Sequence, residues 1–187
     1  MEKDSYFCKP NFEEMSVSYT IPLSGLKEGR HIIDFEIGKE FFEQFEESEV
    51  KEGSLIANIE IDRRSSHLDL IIRISGEVKI CCDRCLEMFF QPINCENRLL
   101  VKFGKELEEI DPDIISIAAD EHELDLQQHI YEFIYLDLPI KRVHPDDANG
   151  KSSCDPLMLK KLEELVVEEE SEYDPRWEEL KKLLNEN

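Results

Sequence analysis

Residues Ser54 to Cys85 read Ser-Leu-Ile-Ala-Asn-Ile-Glu-Ile-Asp-Arg-Arg-Ser-Ser-His-Leu-Asp-Leu-Ile-Ile-Arg-Ile-Ser-Gly-Glu-Val-Lys-Ile-Cys-Cys-Asp-Arg-Cys, and this stretch decides the fold. Leu55, Ala57, Ile59 and Ile61 occupy every second position, then Asp62 to Ser66 is polar turn chemistry. Leu68, Leu70, Ile72 and Ile74 resume the same period, with Val78 and Ile80 beyond Gly76. A period of two places alternate side chains on one face of a strand, so each run has one apolar face. After Cys82-Asp83-Arg84-Cys85 the alternation returns through Phe89, Gln91, Ile93, Cys95, Asn97, Leu99, Val101 and Phe103. Three long strands joined by short turns predict an antiparallel meander. Pro92 and Gly76 mark an edge or a bulge near the middle of it.

Working outward, Val17, Tyr19, Ile21 and Leu23 predict a half-buried strand over 16–23, and Ile33, Phe35 and Ile37 a second over 31–37. Phe41, Phe42 and Phe45 fall at helical spacing within 39–47. From Gly104 to Asp125 nine acidic residues face a single lysine, and only Ile114 to Ile117 looks like a strand. Asp125 is expected to cap a helix over 125–138, with Gln128 as its capping-box partner and Pro139 as its stop. Leu126, Ile130, Phe133, Ile134 and Leu138 would line its buried face. Val143 to Asp155 is loop-like, Leu157 to Val167 a helix, and Asp174-Pro175 the start of a terminal helix carrying Trp177, Leu180, Leu183 and Leu184. The expected fold class is therefore α+β. A curved antiparallel sheet, with partial closure into a barrel as its limiting form, is covered by helices and followed by a helical tail. Residues 1–140 form the sheet and packing helices, and 141–187 a loop and helical extension of the same domain.

Charge is the largest compositional departure: 44 acidic against 22 basic residues, a net −22 in 187 residues. Such a field repels phosphate backbones and draws in cationic surfaces, besides keeping the chain soluble. No apolar run approaches the roughly twenty residues of a spanning helix. The N-terminus, Met1-Glu2-Lys3-Asp4, is charged rather than apolar, so a cytoplasmic protein with reduced cysteines is expected.

Cys82-x-x-Cys85 is the strongest chemical motif. Two thiolates at this spacing on a turn can face one tetrahedral zinc ion, but they are half a site. The remaining ligands would come from Cys81, Cys95, His144 or Cys154. Zinc turns favour glycine after the second cysteine, and here Leu86 follows. Reduced cysteines at a strand end are the plainer reading; a redox pair is disfavoured because strands, not a helix N-terminus, flank the turn. The run from Asp147 to Gly150 fails as a calcium loop, because Pro145 falls where a ligating Asp is required. With no glycine-rich phosphate loop, nucleophile elbow or zincin helix, no catalytic residues are assigned and the chain is expected not to be an enzyme. Basic doublets occur at Arg63-Arg64, Lys141-Arg142, Lys160-Lys161 and Lys181-Lys182; solvated charge is the plainer reading, and a small RNA-binding patch would use Arg63, Arg64 and Lys79, with Arg84 on the cysteine turn.

Taken together, Cys82-Asp83-Arg84-Cys85-Leu86-Glu87, the acidic mid-section, Asp137-Leu138-Pro139-Ile140 and Asp174-Pro175-Arg176-Trp177-Glu178-Glu179-Leu180 resemble the YceD-type family, associated with accumulation of large-subunit ribosomal RNA. The resemblance runs in order along the chain; its specific parts are the cysteine turn and the C-terminal helix. It implies a non-enzymatic role in large-subunit ribosome biogenesis. Many relatives carry a further cysteine-rich cluster where this chain keeps only His144 and Cys154, which leaves Cys82, Cys85, His144 and Cys154 as the one complete metal set. No cofactor is required, and zinc is the one that these residues would take. Arg84 on the cysteine turn and Asp174, Arg176 and Trp177 at the start of the terminal helix, read as an arm that docks on a partner, are the candidate partner-binding residues. The expected partner is a basic ribosomal protein or pre-ribosomal particle, with ribosomal RNA reached indirectly and no membrane involved. The alternatives are a direct ribosomal-RNA-binding module using Arg63, Arg64 and Lys79 and, more remotely, a metal-dependent RNA-processing enzyme. The sequence sets no oligomeric state.

Overall fold

The computed structural model describes residues 18–104, 108–111, 113–147 and 150–166. The strand expected over 16–23 appears as β1 (Thr20–Pro22), its first residues lying outside the described ones. Then come β2 (Gly29–Ile37), a short helix α1 (Lys39–Glu43), β3 (Glu52–Arg63), β4 (His67–Cys81) and β5 (Met88–Gly104). The chain continues through β6 (Glu108–Asp111), β7 (Ile114–Ala118), β8 (Glu123–Asp125), α2 (Gln127–Asp137) and α3 (Pro156–Leu165). The terminal helix expected from Asp174 lies outside the described residues.

The meander forms as the period-two pattern requires. β2, β3, β4 and β5 pair antiparallel in sequence order, with Ile59 opposite Ile33 and Ile72, and Ile74 opposite Ala57 and Cys95. Leu55, Ala57, Ile59, Ile61, Leu68, Leu70, Ile72 and Ile74 are all buried, so one sheet face is continuous core. Each of the leucines and isoleucines among them contributes about 1.5–3 kcal/mol through its burial.

Two expectations about this sheet need correcting. It is not wholly antiparallel: β7 lies parallel to β5, Ile115 beside Val101 and Ile117 beside Phe103, and β6 pairs antiparallel on its outer side. Nor does it close into a barrel, since the order β2-β3-β4-β5-β7-β6 leaves β2 and β6 at opposite edges. The acidic segment makes room for this arrangement by a short return that brings the apolar Ile115 and Ile117 onto the core. β1 and β8 form a separate two-stranded pair, Ile21 opposite Leu124.

Gly76 is not at a bulge. β4 keeps register with both neighbours there, and Gly76 adopts φ +145° while a Cβ at that position would strike the Ser54 carbonyl oxygen and sit 2.7 Å from Leu55 Cα. The backbone of β3 crosses so closely that only glycine fits. Pro92 does mark an edge: β7 begins pairing with β5 only at Leu100, so among the described residues the outer side of β5 at Pro92 has no strand against it.

The helix over 127–137 buries the expected face, Leu126, Ile130, Phe133, Ile134 and Leu138 all being inside. Its start is two residues later than expected. Asp125 ends β8, and its carboxylate accepts from the Gln127 amide at 2.8 Å; Gln128 turns to Glu132 instead of completing a capping box. One of the three phenylalanines of the α1 region reaches α2. Phe41 and Phe42 are buried, and Phe45 stacks on Tyr131 with ring centroids 3.9 Å apart. Tyr135 then hydrogen-bonds Ser48 Oγ at 2.8 Å and accepts from the Val50 amide at 3.0 Å, its hydroxyl filling needs left by the irregular backbone around Ser48. No helix among the described residues is long and apolar enough to cross a membrane.

Candidate functional site

β4 delivers the chain to the cysteine turn with a set parity. Leu68, Leu70, Ile72, Ile74, Val78 and Ile80, all at even positions, face the core, so Cys82 follows them inward while Cys81 points outward and is exposed. That parity is legible in the sequence and separates Cys82 from its neighbour as a site residue. The turn closes with Cys82 N–H donating to the Glu87 carbonyl at 2.9 Å and Leu86 N–H donating to the Cys82 carbonyl at 2.9 Å. Leu86 takes φ +62°, the left-handed region that leucine ordinarily avoids, and its side chain is exposed. The conformation that a following glycine would supply is thus adopted without one.

The loop after α2 is laid over this turn. Asp83 N–H donates to the Arg142 carbonyl and its carboxylate accepts from the Arg142 amide, both at 2.7 Å. Arg142 also pairs with Glu49. His144 then lies against Phe89, ring centroids 4.7 Å apart. A small hairpin follows, with Asp146 bridging Ser152 and the Asp147 carboxylate accepting from the Lys151 amide. It returns the chain to Cys154. Asp155 next caps α3, accepting from the Leu157 amide at 3.0 Å, with Pro156 in the first turn.

These local arrangements bring Cys82, Cys85, His144 and Cys154 together: one ligand atom from each lies within 4.8 Å of every other. Cys82 Sγ is 3.7 Å from Cys154 Sγ; His144 Nδ1 is 3.3 Å from Cys85 Sγ and 3.6 Å from Cys154 Sγ. All three sulfurs belong to buried residues. Burial pushes the Cys82 thiol up, but backbone N–H groups of Cys85, Arg84 and His144 aim at its sulfur and bring it down to about 6. Burial raises Cys85 above its ordinary value, despite amides of Glu87 and Asp155 directed at it, and the neighbouring cysteines Cys82 and Cys154 add to the rise.

Of the other donors considered, Cys81 is outside the cluster for its parity. Cys95 pairs with Ile74, seven residues up the strand from Cys81, about 23 Å away along the sheet. Its sulfur contacts the Phe133 carbonyl instead.

The basic candidates do not converge. Arg63 and Arg64 lie at the β3–β4 turn and Arg84 at the opposite end of the 15-residue β4, about 45 Å away along the strand. Arg63 donates to the carbonyls of Leu23 and Leu26, Arg64 pairs with Asp62 at 3.0 Å, and Lys79 pairs with Glu52 at 2.9 Å. Arg84 reaches Ser152 Oγ at 3.5 Å. Asp174, Arg176 and Trp177 lie outside the described residues.

The class that emerges is an acidic α+β sheet protein with a thiol–imidazole corner where its longest hairpin turns. Residues 70–184, 115 of the 187, match the family model for large ribosomal RNA subunit accumulation protein YceD, and the chain belongs to that family. The matched span includes all four corner residues. The family is one of ribosome-biogenesis factors and not a known enzyme family. No curated protein and no solved structure matches the chain.

Proposed function

We propose that the protein is a non-enzymatic assembly factor that supports accumulation of large-subunit ribosomal RNA by binding a basic ribosomal protein, in the cytoplasm where subunits are built. The observation that carries this reading is the carboxylate surplus of a chain at net −22, several of whose sheet cations are already paired. On the solvent face of the sheet Arg73 bridges Glu60 and Glu96, Lys79 pairs with Glu52 and Arg98 with Asp69. Arg64 and Arg142 are likewise committed to Asp62 and Glu49. With these five cations already paired, a chain of net −22 presents carboxylate surplus outward. That favours a cationic protein over a phosphate backbone, and speeds its capture at low salt. The RNA-binding alternative would have to break the pairs at Arg64 and Lys79 and detach Arg63 from two carbonyls before any of them met a phosphate.

A pull-down with tagged full-length protein at low and moderate salt, with and without RNase, tests the reading. The expected result is enrichment of one basic ribosomal protein that survives RNase and is lost as salt rises. Enrichment of precursor large-subunit RNA, abolished by RNase and by Arg63→Glu with Arg64→Glu, would overturn it in favour of direct RNA binding.

A further inference from the structure

We infer that Cys82, Cys85, His144 and Cys154 bind one structural zinc ion, and that this ion holds the loop 143–155 and helix α3 onto the sheet. The reading rests on geometry independent of the partner.

Tetrahedral zinc with Zn–S of about 2.3 Å and Zn–N of about 2.0–2.1 Å sets its donors about 3.8 Å apart for two sulfurs and about 3.6 Å for sulfur and nitrogen. The observed 3.7 Å between Cys82 and Cys154 sulfurs and 3.6 Å between Cys154 Sγ and His144 Nδ1 are those edges; 3.3 Å at Cys85–His144 is slightly inside them. A disulfide would need about 2.05 Å, and the five described cysteines are free. Buried thiols with no metal gain little from meeting at tetrahedral spacing, because the sulfur–hydrogen donor is weak.

Two further observations point the same way. The turn carries Leu86 at φ +62°, a strained conformation that costs about 1–2 kcal/mol and persists only where the surroundings enforce it. It lets backbone N–H groups of Arg84 and Cys85 face one sulfur and that of Glu87 the other, the supporting shell that a thiolate–metal site requires. In addition, α3 has no buried residue of its own, although Met158 and Leu159 rest partly against the core. Cys154 and Asp155 anchor its start, the latter both capping α3 and directing its amide at Cys85.

The donor set selects the ion. Three thiolates and an imidazole are too soft for calcium or magnesium. Four protein donors fill a tetrahedron, leaving no open position for a reacting water, so the site is structural rather than catalytic.

The test begins with the full chain purified under reducing conditions and analysed for metals. About one zinc per chain is expected, falling to trace levels in a Cys154→Ser, His144→Ala double variant and unchanged in Cys95→Ser. Because the double variant could fail to fold, a second measurement uses the native sequence. Stripping with a chelator and adding cobalt(II) should give thiolate-to-cobalt charge-transfer bands and the visible spectrum of a tetrahedral ion. Hydrogen exchange should rise over 143–166 on stripping, while amides of β3 to β5 stay protected. Trace metal in the native chain, an iron-loaded protein, an intact mass showing a Cys82–Cys154 disulfide under reducing conditions, or cobalt bound without the charge-transfer bands would each overturn the assignment.

Discussion

The β3–β4–β5 hairpins and the corner at Cys82 are continuous in the chain, yet different physics holds each. In the hairpins, burial comes from a repeating aliphatic face, and any one contact is a small part of the total. At the corner three sulfurs, one imidazole and a few backbone amides organise the whole arrangement. The sheet is a distributed structure and the corner a point-fastened one. A distributed structure loses stability in proportion to the volume removed; a point-fastened one is sensitive to geometry and donor identity.

The largest expected effect tests the distributed side. Ile72 is wholly buried at the centre of β4, so Ile72→Ala should cost about 4 kcal/mol in denaturant unfolding. Ile56→Ala, on the solvent face of β3, should cost well under about 1 kcal/mol. Equal losses at the two positions would break the two-faced account of the sheet.

The next pair contrasts the regions at their two unusual backbone positions. Gly76→Ala drives a Cβ into the Ser54 carbonyl within an otherwise regular ladder, and should cost about 3 kcal/mol. Leu86→Gly should do the reverse. It relieves left-handed leucine while removing an exposed side chain, and should stabilise by up to about 1 kcal/mol. Unfolding midpoints that move in the same direction for both would show that the strain at Leu86 has been misplaced.

This contrast also explains what could be read in the chain before its structure. Leu55 to Ile61 and Leu68 to Ile80 carry their own period, so strands, pairing and core face were legible. The buried stripe of α2 was legible for the same reason, whereas its cap was not, because Asp125 was claimed by a β1–β8 pairing that no local pattern announces. The parallel docking of Ile114–Ala118 on β5 likewise depends on a return through an acidic segment whose length says nothing of direction. At the corner the sequence nominates Cys82, Cys85, His144 and Cys154, with Cys81 and Cys95 as further candidates. Strand parity and distance along β5 separate them, and the left-handed conformation that Leu86 adopts is invisible in residue type alone.

The smallest effect sharpens the comparison from the sheet's solvent face, where neither apolar burial nor sulfur acts. The Asp69 carboxylate takes a two-pronged hydrogen bond from Arg98, and that guanidinium holds its carboxyl below the usual carboxylate range. A group whose folded-state value is depressed adds stability that is complete above the unfolded value and is lost as pH falls through the folded one. The contribution of this pair should therefore be intact above about pH 5 and fade below about pH 4. Arg98 is largely exposed, so the whole effect should be under about 1 kcal/mol and shrink with added salt. Urea unfolding across a pH series should show a shallower acid limb for Asp69→Asn than for the native chain. An unchanged limb would mean that the cross-strand ion pairs serve only to neutralise cations, and that apolar burial alone sustains the sheet.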